Sequence, residues 1–334
     1  MAYDRTIQFR LILLLLNLCW IIFPLMAFSQ SSSDSTYPNK PIRIIIPQSA
    51  GSATDTLIRL MAPKLTEQLG VPLILENRLG AGGIIGAEAV AKSAPDGYTL
   101  LVGATSWITI APHVYPKLNY DPIKDLAPIS IFAIGQNVLA VAANSPYVTV
   151  KDLVSHMKDH PNSLNMASAG IGSTSHMAGV MLTSITGATA VHVPYKGAGP
   201  SVMSVLSGES QWVFTPMQGP IALIRSGKLR ALAVGGNLRS AILPDVPTVK
   251  ESGFTAYDLR NWYGLLAPAG TPKSMIDKLN AAIVKISKLP EMKEQFYGQG
   301  SEPVSNSPAD FSHFIIDETQ RMAGIVKTAG IKVE

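Results

Sequence analysis

Ile42 to Pro47 is a β-branched run that feeds a Gly/Ser/Thr loop and then apolar positions Leu57, Leu60, Met61, Leu65 and Leu69 at helical spacing. Such a switch of period across one small-residue loop specifies strand, loop, helix. The unit recurs. Pro72 to Glu76 restarts a strand, Gly80 to Gly86 turns, an Ala-rich helix runs to about Ser93, and Thr99 to Val102 is the next strand. The rhythm resumes at Leu164 to Ala169, Ala190 to Pro194, Gln211 to Thr215 and Arg230 to Val234, with helical segments at His176 to Thr186, Pro200 to Leu206 and Pro220 to Arg225. Alternation of this kind predicts α/β architecture with parallel sheets.

The 334 residues, 47% apolar and 15% charged, suffice for about two domains with sizeable cores. Asn137 to Ala143 and Trp262 to Ala267 are apolar stretches without long linkers, so the chain crosses between two α/β units twice. The first unit is then discontinuous: 37–140 and 263–334 form lobe 1, and 141–262 form lobe 2. The tail predicts three helices, Pro272 to Lys288, Glu291 to Gln299 and Pro308 to Thr328, packed on the first sheet with no comparable strand pattern.

Residues 1–29 do not belong to the fold. Arg5 and Arg10 precede an apolar run from Leu11 to Phe28, and Ala27 and Ser29 are the small residues of a signal-peptidase site, so a secretory leader ending near Ser29 is expected. An uncleaved anchor is the competing reading, because the run approaches the roughly 20 residues that span a bilayer. Residues 30–36 read as a flexible lead-in. Cys19 is the only cysteine, so removing the leader leaves a chain without disulfides or a cysteine nucleophile, with 25 basic and 22 acidic residues, a balance of +3. No run of like charges favours nucleic acid.

Enzyme signatures are missing. No Gly-x-Ser-x-Gly pentapeptide occurs, and no Gly-Lys-Ser or Gly-Lys-Thr stands at phosphate-loop spacing. Gly80-Ala-Gly-Gly-Ile-Ile-Gly86 resembles a dinucleotide loop, but Ile85 stands where the third glycine belongs and no acidic residue follows about twenty residues on. His156 and His160 lie four apart on a predicted helix without the glutamate or third ligand of a zinc site, and they read as a solvated face. Neither a metal nor a cofactor is implied.

What remains is a set of small-residue loops at strand ends: Gln48 to Asp55, Gly103 to Trp107, Ser168 to Ser175, Tyr195 to Pro200 and Thr215 to Gly219. Ligands of open parallel sheets bind outside the carboxyl ends of strands, where loops feeding helices offer unpaired amides and the positive end of a dipole. An organic carboxylate fits those donors. The candidate ligand contacts are Gln48, Ser49, Ala50, Gly51, Ala53, Thr54 and Asp55 in the first loop, Ser106 and Trp107 in the second, Ser168, Ser173, Thr174 and His176 in the third, then Tyr195 and Thr215. The competing reading of the hydroxyls is that they cap helices.

Several blocks in order carry a resemblance: Glu76-Asn-Arg-Leu-Gly-Ala-Gly-Gly83, Pro95-Asp-Gly-Tyr-Thr-Leu-Leu101, Tyr120-Asp121 with Lys124-Asp125, Ser168-Ala-Gly-Ile-Gly172, His192-Val-Pro-Tyr-Lys-Gly197, Gly227-Lys-Leu-Arg-Ala-Leu-Ala-Val234, Leu243-Pro-Asp-Val-Pro-Thr248 and Ala267-Pro-Ala-Gly-Thr-Pro272. Over about residues 37–332 the chain resembles the Bug family of periplasmic solute receptors, the substrate-binding components of tripartite tricarboxylate transporters. The resemblance implies a periplasmic-binding-protein-like α/β fold, with two Rossmann-like lobes joined by a double crossover hinge and closing on a small carboxylate. By the same resemblance, first-lobe amides hold the carboxylate and the second lobe reads the distal group. It also implies a non-enzymatic receptor that serves an integral-membrane permease. A monomer is expected. A receptor presenting its closed form to a sensor kinase, and a secreted hydrolase, are the alternatives. Pro47-Gln-Ser-Ala-Gly-Ser-Ala-Thr-Asp55 departs from the family's Pro-Phe-x-Pro-Gly-Gly-Ser-Thr-Asp, and Thr215 stands where many relatives carry Asp, which disfavours a zwitterionic amino acid.

Overall fold

The computed structural model describes residues 37–331 except Asp258 and Arg260, so the expected leader and lead-in lie outside the described residues. The chain runs β1 (Ile42–Ile46), α1 (Ala53–Leu69), β2 (Leu73–Asn77), α2 (Ile84–Ala91) and β3 (Thr99–Ala104). A wide helical turn, Ser106–Ile110, then continues into α3 (Ala111–Val114) and leads to β4 (Leu126–Gly135). Next come β5 (Asn137–Ala142), α4 (Val150–Asp159), β6 (Asn165–Ser168), α5 (Thr174–Thr186), β7 (Val191–Pro194), α6 (Ala198–Ser207), β8 (Trp212–Pro216), α7 (Ile221–Arg225) and β9 (Leu229–Val234). The chain ends with β10 (Asn261–Pro268), α8 (Lys273–Ser287), α9 (Pro290–Tyr297), β11 (Ser301–Pro303) and α10 (Pro308–Ala329).

Two sheets result, one of six strands in the order β11-β4-β10-β3-β1-β2 and one of five in the order β7-β6-β8-β5-β9. Pairings β1·β2, β1·β3, β6·β7 and β6·β8 are parallel, as the strand-helix rhythm requires. The sheets are nonetheless mixed, which corrects the all-parallel expectation. β10 lies antiparallel to β3 and β4, and β5 lies antiparallel to β8 and β9. A parallel neighbour needs a crossover, usually a helix, whereas β5 follows β4 after Gln136 alone and β10 enters its sheet directly from the other half of the chain. The change of sheet at Gln136 lies four residues before the expected boundary at 140, and β5 is wholly a strand of the second sheet.

Burial follows the pattern. Ile42, Ile44, Ile45 and Ile46 of β1 are buried, as an interior strand of a doubly covered sheet must be. The second half packs Leu139, Met177, Leu182, Trp212 and Phe214 in one cluster. That cluster also takes in Met322, Val326 and Ile331, so the end of α10 packs against α5 as well as against β4. The tail helices were expected on the first sheet only. The turns of α10 that carry Met322 and Val326 reach beyond that sheet and find apolar partners on the second half.

Candidate functional site

The carboxyl ends of β1, β3, β6, β7 and β8 converge on one cavity of about 780 Å³ between the two sheets. Four helices begin at its wall. Ser52 caps α1 and accepts from Asp55 N, and Ser173 caps α5 and accepts from His176 N. Gly83 and Gly197 precede α2 and α6 without a side-chain cap. The first amides of a helix have no intrahelical acceptor, so these starts present N–H groups and positive dipole ends to one space.

Side-chain charge reinforces the dipoles. Among the described residues, Lys196 is the only charged one lining the cavity, and no carboxylate lines it. Asp55, read as a contact in the sequence, sits behind the wall at 3% exposure. Its carboxylate accepts from Gly51 N at 2.9 Å, Asn77 Nδ2 at 2.8 Å and Arg59 Nε at 2.8 Å. Burial pushes this carboxyl up, but the hydrogen bonds from Asn77, Gly51 and Arg59, with the guanidinium charge, outweigh burial and hold it below the usual carboxylate range. Asn77 also donates to Gln48 O at 2.9 Å, and Thr54 Oγ1 donates to Gln48 Oε1 at 2.9 Å. Departing from a Pro-Gly-Gly turn, the first loop is thus held by side chains.

The 168–176 loop has its own frame. Ser168 Oγ pairs with His192 Nε2 at 2.6 Å and accepts from Gly170 N at 3.1 Å, while Ser175 Oγ accepts from Ala169 N at 2.7 Å. His176 Nδ1 accepts from Gly172 N, and its ring stacks on His192 at 3.9 Å between centroids. Burial pushes His176 down to about 3, assisted by His192, and pushes His192 down to about 4, so both rings are neutral near pH 7. Two neutral imidazoles can stack; two imidazolium ions in contact would repel.

Gln48, Ser49, Ala50, Gly51, Ala53, Thr54, Ser106, Trp107, Ser173, Thr174 and Tyr195 therefore line the cavity, and Asp55, Ser168, His176 and Thr215 do not. The last four are buried supports whose polar atoms face the loop backbone or the interior. Sequence reasoning missed the Gly80–Gly83 wall, Tyr115, Lys196, Gln218, Asn261 and Tyr263. The first had been weighed as a dinucleotide loop, yet Gly83 has φ +105° and a Cβ there would fall on the Trp107 ring, so this glycine serves close packing against that indole. Trp107 is fixed in turn by Nε1 donating to Val102 O at 3.1 Å. Direct contacts bridge the cavity: Thr174 N donates to Ser106 Oγ at 3.2 Å, and Tyr115 OH to Ile171 O at 3.3 Å. Among the described residues, no group of three or more His, Cys, Asp or Glu could hold a metal ion.

Comparison with known proteins follows the same geometry. Protein BugT of Bordetella pertussis is 36% identical over 303 residues, 90% of this chain and 93% of its own. The solved R. palustris Rpa4515 with adipate is 30% identical, with TM-score 0.86 over 89% of this chain and all of that one. MatC from Rhodopseudomonas palustris with bound malate is also 30% identical, with TM-score 0.81 over 87% of this chain and all of that one. Residues 57–331 match the family described as tripartite tricarboxylate transporter family receptor. The chain belongs to that family, which holds periplasmic solute-binding receptors rather than enzymes, and its relatives include the Bug proteins.

Proposed function

We propose that this receptor captures a small organic carboxylate in the cavity between its two sheets and delivers it to the integral-membrane permease of a tripartite tricarboxylate-type transporter. The observation that carries the reading is the electrostatics of the lining: helix N-termini and one lysine, with no carboxylate among the described residues of the wall. That is a site for an anion. Adipate and malate in the two solved relatives are both carboxylates, which supports the class. The first-loop amides of Ala50, Ala53 and Thr54, in a loop stiffened by Asp55, are the assigned carboxylate donors. The lobes are taken as 37–136 with 261–331, and 137–259, moving about Gln136 and the approach to Asn261. Export rests on the leader ending near Ser29, and N-terminal sequencing of exported protein should begin near Gln30; an intact Met1 would overturn it.

Calorimetry with mono-, di- and tricarboxylates and with neutral sugars tests the reading. Saturable binding of at least one acid and none of the sugars is expected. Binding of sugars alone, or turnover of ester substrates, would overturn it.

A further inference from the structure

Segment 106–115 of the first lobe meets loop 170–174 of the second, and two hydrogen bonds run from one to the other. Thr174 N donates to Ser106 Oγ at 3.2 Å, and Tyr115 OH donates to Ile171 O at 3.3 Å. Thr174 is the first residue of α5, where an amide has no acceptor within the helix. Ser106 supplies that acceptor from the other lobe. Burial pushes the Tyr115 phenol above its ordinary range, so the hydroxyl keeps its proton and stays a donor.

The fit around Tyr115 is close on both sides. A Cβ on Gly82 would lie 3.2 Å from Tyr115 OH, and a Cβ on Gly172 would lie 3.3 Å from Tyr115 Cε2. A methyl group at either place would crowd the tyrosine, so bare backbone in a loop of each lobe is what admits it. Val114, next in the chain, is buried in the apolar cluster of the second half, so closing the lobes also covers an apolar side chain. The segment is anchored in its own lobe. Trp107 Nε1 donates to Val102 O at 3.1 Å, and Tyr120 OH donates to Trp107 O at 2.5 Å.

We propose that Ser106 and Tyr115 form a latch that fastens the first lobe to the 170–174 loop and sets what fraction of the receptor is closed. The proposal rests on the division into lobes above, and not on the ligand's being an acid. A ligand gripped by both lobes binds the closed form, so its apparent affinity is the intrinsic affinity multiplied by the closed fraction. A latch whose bonds run from protein to protein therefore scales the affinity for every ligand by one factor. A residue that touches the ligand discriminates between ligands instead. Each bond between neutral groups favours the closed form by about threefold to tenfold.

Amide exchange in the processed protein, dialysed free of ligand, tests this. Thr174 should exchange about threefold to thirtyfold more slowly than an unstructured amide, yet far faster than Leu182 inside α5. Tyr115→Phe and Ser106→Ala should each quicken Thr174 at least about twofold and leave Leu182 unchanged. Tyr115→Phe keeps the ring between the glycines, and it decides alone if Ser106→Ala loses the Leu182 protection that marks a folded lobe. Calorimetry adds a second readout: the double variant should bind succinate, adipate and citrate, where the parent binds them, about twofold to tenfold more weakly and by one common factor. Thr174 unprotected in the parent, or unmoved by Tyr115→Phe, overturns the latch and leaves the carboxylate reading standing. Thr174 as slow as Leu182 in parent and variants makes this flank part of a fixed joint and overturns it too. A loss confined to one acid does the same, because it makes these residues ligand contacts. If none of the three acids binds, the exchange alone decides.

Discussion

Asp55→Asn removes one charge and almost no volume, so its effect isolates what holds the first loop. The parent carboxylate accepts from Gly51 N, Asn77 Nδ2 and Arg59 Nε, all within 2.9 Å. An asparagine keeps one oxygen, and its NH2 must face a donor on the other side, so either Gly51 or Asn77 loses its acceptor. Hydrogen bonds to a charged group contribute roughly 1.5 to 3 kcal/mol each. Arg59 is 45% exposed, so its share shrinks to a few tenths by solvent screening. One lost and one weakened buried bond give a destabilisation of about 3 kcal/mol, read as a lower urea midpoint at unchanged m-value. Because Asp55 titrates below its unfolded value of about 3.9, its contribution is present above that pH and is lost as the pH falls through the folded value. The gap between parent and variant should therefore be full at pH 7 and narrow below about pH 4. With the loop loosened, affinity for a carboxylate probe such as adipate should fall about tenfold, the loss of one aligned donor. A variant that denatures with the parent at pH 7 and binds as tightly would show that the Asp55 carboxylate does not hold this loop.

Ala53 is the first residue of α1 and lines the cavity, so Ala53→Leu should fill the approach to the amides and weaken carboxylate binding about tenfold to a hundredfold with unchanged circular dichroism; equal affinity would place the carboxylate elsewhere. The stacked pair His176 and His192 titrates near 3 and 4 when folded but near 6.5 when unfolded, so stability falls as the pH drops from about 6.5 toward 4, by up to about 2.7 kcal/mol per pH unit. His192→Asn should roughly halve that slope in denaturation at pH 6, 5 and 4, and an unchanged slope would refute the assignment. Saturation with ligand should lower the radius of gyration in solution scattering if the halves rotate about Gln136 and the start of β10; identical curves would remove the hinge.

The strand-helix rhythm was legible because each unit switches period within a few residues, as from Ile42–Ile46 to Ala53–Leu69. β4 was not, because its run from Leu126 to Gly135 carries Pro128 and Ser130 and no helix follows it. β11 has three residues, too few for any period to register. Strand direction was lost with β4: only knowing that Gln136 alone separates β4 from β5 tells that the sheets are mixed.

At the site, the loops after strands were readable from their small residues, and most named positions do line the cavity. Asp55, Ser168, His176 and Thr215 were drawn in because they sit inside the same motifs, yet the first three turn toward the backbone they organise and Thr215 is buried in its strand. Asn261 and Gln218 reach the wall from segments 43 residues apart, and only the sheet crossing brings them together. An asparagine at the head of the apolar run Trp262 to Ala267 was the one available signal for Asn261.

Mass spectrometry of the small molecule released by denaturing protein taken from the periplasm without refolding tests the central claim most directly. The account predicts a stoichiometric organic acid, with its carboxyl shown by esterification. Stoichiometric release of a neutral sugar, an amine or a metal ion would contradict it.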